Sequence, residues 1–129
     1  MNNEKKMLKE KIMKYMKKWG STLFDDLENT IPELKDDKIS ENIHDLSFYP
    51  YVNIKIWAMS KIGSAVLSEL INEKKIELVS ISYIVAFLGY TATGTNNEVM
   101  NLPIAKQIQR FYKDPHWLPC KVQLKNYNS

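Results

Sequence analysis

The residue types that ordinarily carry catalysis are few in this chain and far apart. The two histidines, His44 and His116, lie in different segments without the spacing of a metal-ligand pair, and a surface or capping role accounts for each. The single cysteine, Cys120, has no adjacent histidine to act as its base, so a buried or incidental thiol is the plain reading. The doublets Asp25-Asp26 and Asp36-Asp37 could take a hard cation, but the EF-hand pattern is missing and a solvated linker explains them. The turn Gly94-Thr95-Asn96 lacks the GxxxxGK[ST] spacing of a phosphate loop. The expectation is a protein with no catalytic residue, metal or cofactor, and not an enzyme.

What remains is charge. Residues 4–19, EKKMLKEKIMKYMKKW, hold seven lysines (Lys5, Lys6, Lys9, Lys11, Lys14, Lys17 and Lys18) against two glutamates. Leu8, Ile12, Tyr15, Met16 and Trp19 recur at the 3.6-residue period of a helix, and Lys11, Lys14 and Lys18 follow the same spacing opposite them. No Gly or Pro interrupts the run, and its residues are good helix formers. Such a helix wants an apolar surface on one side and an anion on the other. Three settings fit: docking on the chain's own core with the lysines in solvent, an anionic membrane surface, or a nucleic-acid backbone. A lysine face neutralises phosphates without reading bases. Arg110 is the only arginine, which argues against bidentate guanine readout. Any DNA binding is then expected to be indifferent to sequence.

The rest of the chain must position that helix. At 129 residues, 44% apolar and 11% aromatic, it suits one domain, or a small domain with an arm. Charge comes in blocks. Residues 1–19 sum to +5; residues 25–45, with eight carboxylates against two lysines, sum to −6; residues 46–101 balance; residues 102–129 give +4. One cysteine excludes an internal disulfide. The N-terminus lacks the apolar core of a signal peptide, and no run approaches the roughly 20 apolar residues of a membrane span. A soluble protein, or one bound at most to a membrane surface, is expected.

Gly20 supplies a left-handed stop for the first helix and Ser21 a cap for a short helix over 22–29, broken by Pro32 and the acidic pair at 36–37. Ser40 opens another helix to about residue 48. The longest candidate helix covers 51–73, with Ile54, Ala58, Ile62, Ala65, Val66 and Leu70 in phase. Its small-residue middle, 60–65, admits a neighbouring helix closely at Gly63. Residues 78–90 are ambiguous. Alternation at Val79, Ile81, Tyr83 and Val85 allows a strand, but 84–88 is apolar throughout and no partner strand is evident, so a buried helix is preferred. Pro103 suits the first turn of a last helix with Ile104, Ile108, Phe111 and Tyr112. The tail after Asp114-Pro115 is extended and packs Trp117. The sum is an all-α fold: a basic N-terminal helical arm with an acidic connector over 1–39, and a four-helix bundle with an extended C-terminal tail over 40–129.

Three patches resemble the major coat proteins of filamentous, rod-shaped archaeal viruses with double-stranded DNA genomes. Lys14-Tyr15-Met16-Lys17-Lys18-Trp19, followed by Phe24, is similar to a basic-Tyr-x-Lys-Trp stretch in that family's N-terminal arm. Ala58-Met59-Ser60-Lys61-Ile62-Gly63 resembles a segment of its central helix. Gly94-Thr95-Asn96-Asn97-Glu98-Val99-Met100 resembles the turn opening its last helix. The order and approximate spacing agree over residues 14–110, while the acidic connector and the PHWLP tail depart from the pattern. The resemblance implies a virion nucleocapsid protein, made in the host cytoplasm. It would pair with itself or a related coat protein, wrap double-stranded DNA with Lys14, Lys17 and Lys18 facing phosphates and Tyr15 and Trp19 packed against a neighbouring arm or the sugar edge, and polymerise into a helical filament compatible with a membrane envelope. Such an assembly would also give the acidic connector a use that the resemblance itself does not supply: contact with basic surfaces of adjacent subunits around Lys106, Arg110 and Lys113. Lys5, Lys6, Lys9 and Lys11 complete the candidate DNA-binding set. The alternative expectation is a small helical regulatory or inhibitory protein that binds another protein through the arm or the connector.

Overall fold

A computed structural model of the chain describes residues 2–35, 53–82, 85, 99–105 and 112–125. Helix α1 (Asn2–Trp19) forms where the periodicity places it, and Gly20 ends it at φ 81°. The chain then turns directly into strand β1 (Ser21–Thr22) and helix α2 (Phe24–Thr30). Ser21 therefore serves the strand, and the α2 cap position falls on Leu23 with no side-chain cap bond. Pro32 starts a 3-10 turn, Pro32–Leu34, as its fixed φ favours at a first helical position. Strand β2 (Ile54–Lys55) and an extended segment lead to helix α3 (Lys61–Asn72). Strands β3 (Ile76–Ser80), β4 (His116–Trp117) and β5 (Cys120–Leu124) complete the described elements.

The expectation of an all-α four-helix bundle is overturned. Three α-helices and two small sheets make up the described residues. In one sheet, β5 lies between β1 and β3 and pairs antiparallel with both; Val122 stands opposite Thr22 on one side and Leu78 on the other. In the other sheet β2 and β4 run parallel, and Ile104 pairs with Trp117. The preferred buried helix over 78–90 is accordingly wrong at its start, where β3 runs. Its missing partner is the extended tail, some forty residues away in sequence. The helix expected over 51–73 begins only at Lys61, because residues 54–58 belong to the sheet and the segment beside it. Pro103 to Ala105 is extended rather than the first turn of a helix: Trp117 donates its amide to the Pro103 carbonyl, and Ala105 donates to the Trp117 carbonyl, each at 2.8 Å. The expected helix at 40–48 and the Gly94–Glu98 turn fall outside the described residues.

A single apolar core joins these elements. Leu8, Ile12 and Met16 of α1, Phe24 and Leu27 of α2, Leu34 of the 3-10 turn, Val66, Leu67 and Leu70 of α3, Ile76 of β3 and Val122 of β5 are all buried in it. Trp57 stacks on Phe24 with ring centroids 5.9 Å apart, and its indole donates to the buried carboxylate of Glu28 at 2.7 Å. Trp117 is buried too, and its indole donates to the Ile56 carbonyl at 3.2 Å. Ser60 caps α3 by accepting the Gly63 amide at 3.0 Å, while its hydroxyl donates to the Glu33 carbonyl and its amide to the Leu34 carbonyl. The close approach expected at Gly63 is made by Leu34 of the 3-10 turn: a Cβ on Gly63 would lie 3.0 Å from a Leu34 methyl.

Candidate nucleic-acid interface

The apolar stripe of α1 is satisfied within the chain. Leu8, Ile12 and Met16 face the core, and only its last members depart from that pattern. Tyr15 is half-buried, its hydroxyl 3.0 Å from Thr22 Oγ1, and Trp19 lies mostly in solvent. Met16 is the last core residue, and the Gly20 turn carries the chain away into β1 before Trp19 can reach the interior.

The seven lysines divide into two sets. Lys5 and Lys9 lie on the flank of α1 that faces α3. Lys5 Nζ is 3.0 Å from Glu69 Oε2, and Lys9 Nζ is 2.9 Å from both Glu69 Oε1 and Glu73 Oε2. Lys11 pairs with Glu33 of the 3-10 turn. Hydrogen bonds that Lys9 donates to Glu73 and Glu69 raise its pKa. The same pairs hold the carboxyls of Glu69 and Glu73 below the usual range, Lys9 being the largest cause for each, and Lys11 does so for Glu33. These pairs are exposed and therefore screened, so their energetic weight is small. Their geometric effect is larger: three of the seven predicted lysines are committed to carboxylates of their own chain.

Lys6, Lys14, Lys17 and Lys18 form the second set. All are exposed and make no ion pair among the described residues. Lys17 and Lys18 lie in the last turn of α1, where the partial negative charge of the helix end favours cations. Lys18 Nζ lies 5.2 Å from the Trp19 ring centroid, a cation–π distance. The outward face of α1 is thus most basic in its C-terminal half, and an exposed indole ends it. Among the described residues, no helix is long and apolar enough to cross a membrane.

Sequence reasoning missed the partners Glu69, Glu73 and Glu33. A signal was present: Glu69 and Glu73 are spaced i, i+4 on α3, as Lys5 and Lys9 are on α1, so both pairs meet once the helices pack side by side. Glu33 and Glu28 give part of the acidic connector a use within this chain, one pairing with Lys11 and the other receiving the Trp57 indole. Lys113 is exposed, while Lys106 and Arg110 fall outside the described residues.

Among the described residues the other chemistry-bearing groups do not converge. His116 stacks on Tyr112 with ring centroids 3.9 Å apart, its Nδ1 2.7 Å from the Asp114 carbonyl oxygen; His44 falls outside the described residues. Cys120 is buried, which pushes its thiol pKa up to about 12 and keeps it protonated and unreactive. No group of His, Cys, Asp and Glu able to hold a metal ion occurs among the described residues. The chain matches no protein-family model, and no curated protein or solved structure is matched either.

Proposed function

We propose that this protein coats double-stranded DNA without sequence preference, as a nucleocapsid-type structural protein. The observation that carries the reading is the outward lysine set of α1, Lys14, Lys17 and Lys18 with Lys6 about two turns earlier, all exposed and without an ion pair among the described residues. Point charges on a rigid helix match a phosphate backbone and carry no base code. An 18-residue helix spans about 27 Å, long enough to meet several phosphates. Because the apolar stripe docks on the core, α1 meets DNA as a surface laid against the backbone rather than as a detached arm. Of the three patches that resemble the archaeal viral coat proteins, the one on α1 supports this reading. Assembly into a filament with another copy or a related coat protein, and residence in a virion, are part of the same proposal.

Three phosphate contacts give a log–log salt slope of about −2.7. Affinity then falls roughly fortyfold between about 50 and 200 mM salt. The expected result is salt-sensitive binding to unrelated duplexes alike, lost in a Lys14→Glu, Lys17→Glu, Lys18→Glu variant with unchanged circular dichroism, and filaments by electron microscopy when linear DNA is added. Full-length protein that ignores DNA at low salt and stays monomeric would falsify the proposal. Nuclease-insensitive recovery of one stoichiometric protein partner would replace it with the regulatory reading.

A further inference from the structure

Three tryptophans share this chain, and two of them are core: Trp57 and Trp117 are 2% and 1% exposed. Trp19 is 57% exposed. An indole left in water at the end of a basic face is a large apolar surface that folding does not use. Its surroundings hold it ready. Tyr15, one turn earlier, is tethered by its hydroxyl to Thr22, and its ring packs against Trp19 at 6.4 Å between centroids, tilted by 45°. Lys18 brings its ammonium to within 5.2 Å of the ring centroid, so a cation stands beside the indole.

We propose that Trp19 is a stacking platform for an unpaired nucleic-acid base, with Lys18, whose ammonium lies over the edge of the same patch, holding a phosphate of that strand. This rests on the nucleic-acid binding proposed above and adds to it a contact that fully paired DNA does not make, one reserved for gapped or unpaired stretches of a coated duplex. Phosphate contacts alone favour the more densely charged duplex, so any preference for a single strand must come from the bases. A paired base is already stacked on both faces and cannot offer one to an indole, whereas an unpaired base can, and every base has a π-face. The patch therefore takes single-stranded or gapped stretches more tightly than fully paired DNA with the same number of phosphates. A lipid surface fits less well. The exposed large apolar residues Met7 and Trp19 are twelve residues apart, about 18 Å along the helix. Exposed Lys11, Lys14 and Lys18 lie between them, so no continuous apolar stripe is left outward for insertion.

Intrinsic fluorescence of the full-length protein tests this directly, because Trp19 is the solvent-exposed indole of the three. Oligo(dT) is expected to quench it and to bind about tenfold more tightly than a duplex of equal phosphate number. Trp19→Ala should abolish both the quenching and the excess affinity while duplex binding persists, and Trp19→Phe should restore the affinity. An unchanged urea midpoint confirms that either variant is folded. Equal affinities and unquenched fluorescence, with duplex binding intact, overturn the stacking role alone. No binding to either polymer overturns the underlying function as well. Quenching by phosphatidylserine vesicles but not by oligo(dT) overturns the proposal in favour of a membrane surface.

Discussion

Replacing Ile12 by Ala asks whether α1 is part of the fold or an appendage to it. Ile12 is 0% exposed and shares the core with residues of α2, α3, β3 and β5. Removing its three outer carbons takes away buried apolar surface and leaves a cavity whose walls belong to several elements and can close only in part. The cost for such a site is about 3 kcal/mol, within the roughly 2–5 kcal/mol found for buried Ile or Leu to Ala. Against a total stability of about 5–15 kcal/mol, that is a large fraction. At about 4 °C per kcal/mol it lowers Tm by about 12 °C. The assay is urea unfolding followed in parallel by circular dichroism and by the fluorescence of buried Trp57 and Trp117. The midpoint should fall with m unchanged, and both probes should move together. Lys14→Ala, on the exposed face of the same helix, should stay within about 0.5 kcal/mol of the parent. If Ile12→Ala leaves the tryptophan transition in place while helical signal is lost separately, α1 is an independent arm and the reasoning fails. The same logic bears on DNA binding. Deleting residues 1–20 would strip Leu8, Ile12 and Met16 from the core, so lost binding would report unfolding; charge reversal on the outer face avoids that ambiguity.

Gly63→Ala should destabilise by about 1–2 kcal/mol despite the better helix propensity of Ala. Its Cβ would meet Ser60 Oγ at 2.9 Å, Leu34 Cδ2 at 3.0 Å and Leu34 Cα at 3.2 Å, and Ser60 is held between the Glu33 carbonyl and the Gly63 amide; a thermal melt at or above the parent's would rule this out. The urea midpoint should be flat through neutral pH and fall at the acid end. Glu33, Glu69 and Glu73 have carboxyls held below their ordinary 4.5, so their contribution is complete above that value and is lost as pH drops through the lower folded values. Lys9, raised above 10.5, keeps its contribution until pH climbs past its folded value. Because the pairs are exposed, added salt should flatten the acid limb, and Lys9→Met should shrink it. An acid limb identical in Lys9→Met and the parent would show that other groups set it.

The residues alone determined the helix of α1, its end at Gly20 and the division of its surface into an apolar stripe and a lysine face, because a 3.6-residue repeat is a local property that packing had only to accept. The short helix after Leu23 and the burial of Trp117 were legible for similar reasons. What only the tertiary structure decided depends on partners distant in sequence. Ile76, Leu78 and Val79 are apolar, and the tail alternates at Cys120, Val122 and Leu124, yet nothing local joins Leu78 to Val122; that pairing turned an expected bundle into a helix-and-sheet fold. Helix α3 starts at Lys61 rather than ten residues earlier because Ile54 and Lys55 find His116 and Trp117 beside them, and backbone pairing overrode the helical phase of Ile54 and Ala58. The sorting of the lysines was decided the same way. Composition counts seven cations on one helix, but whether each meets a carboxylate or the solvent depends on which helix packs alongside. Glu69 and Glu73 take Lys5 and Lys9, Glu33 takes Lys11, and Lys14, Lys17 and Lys18 are left facing outward beside an indole that the core could not reach.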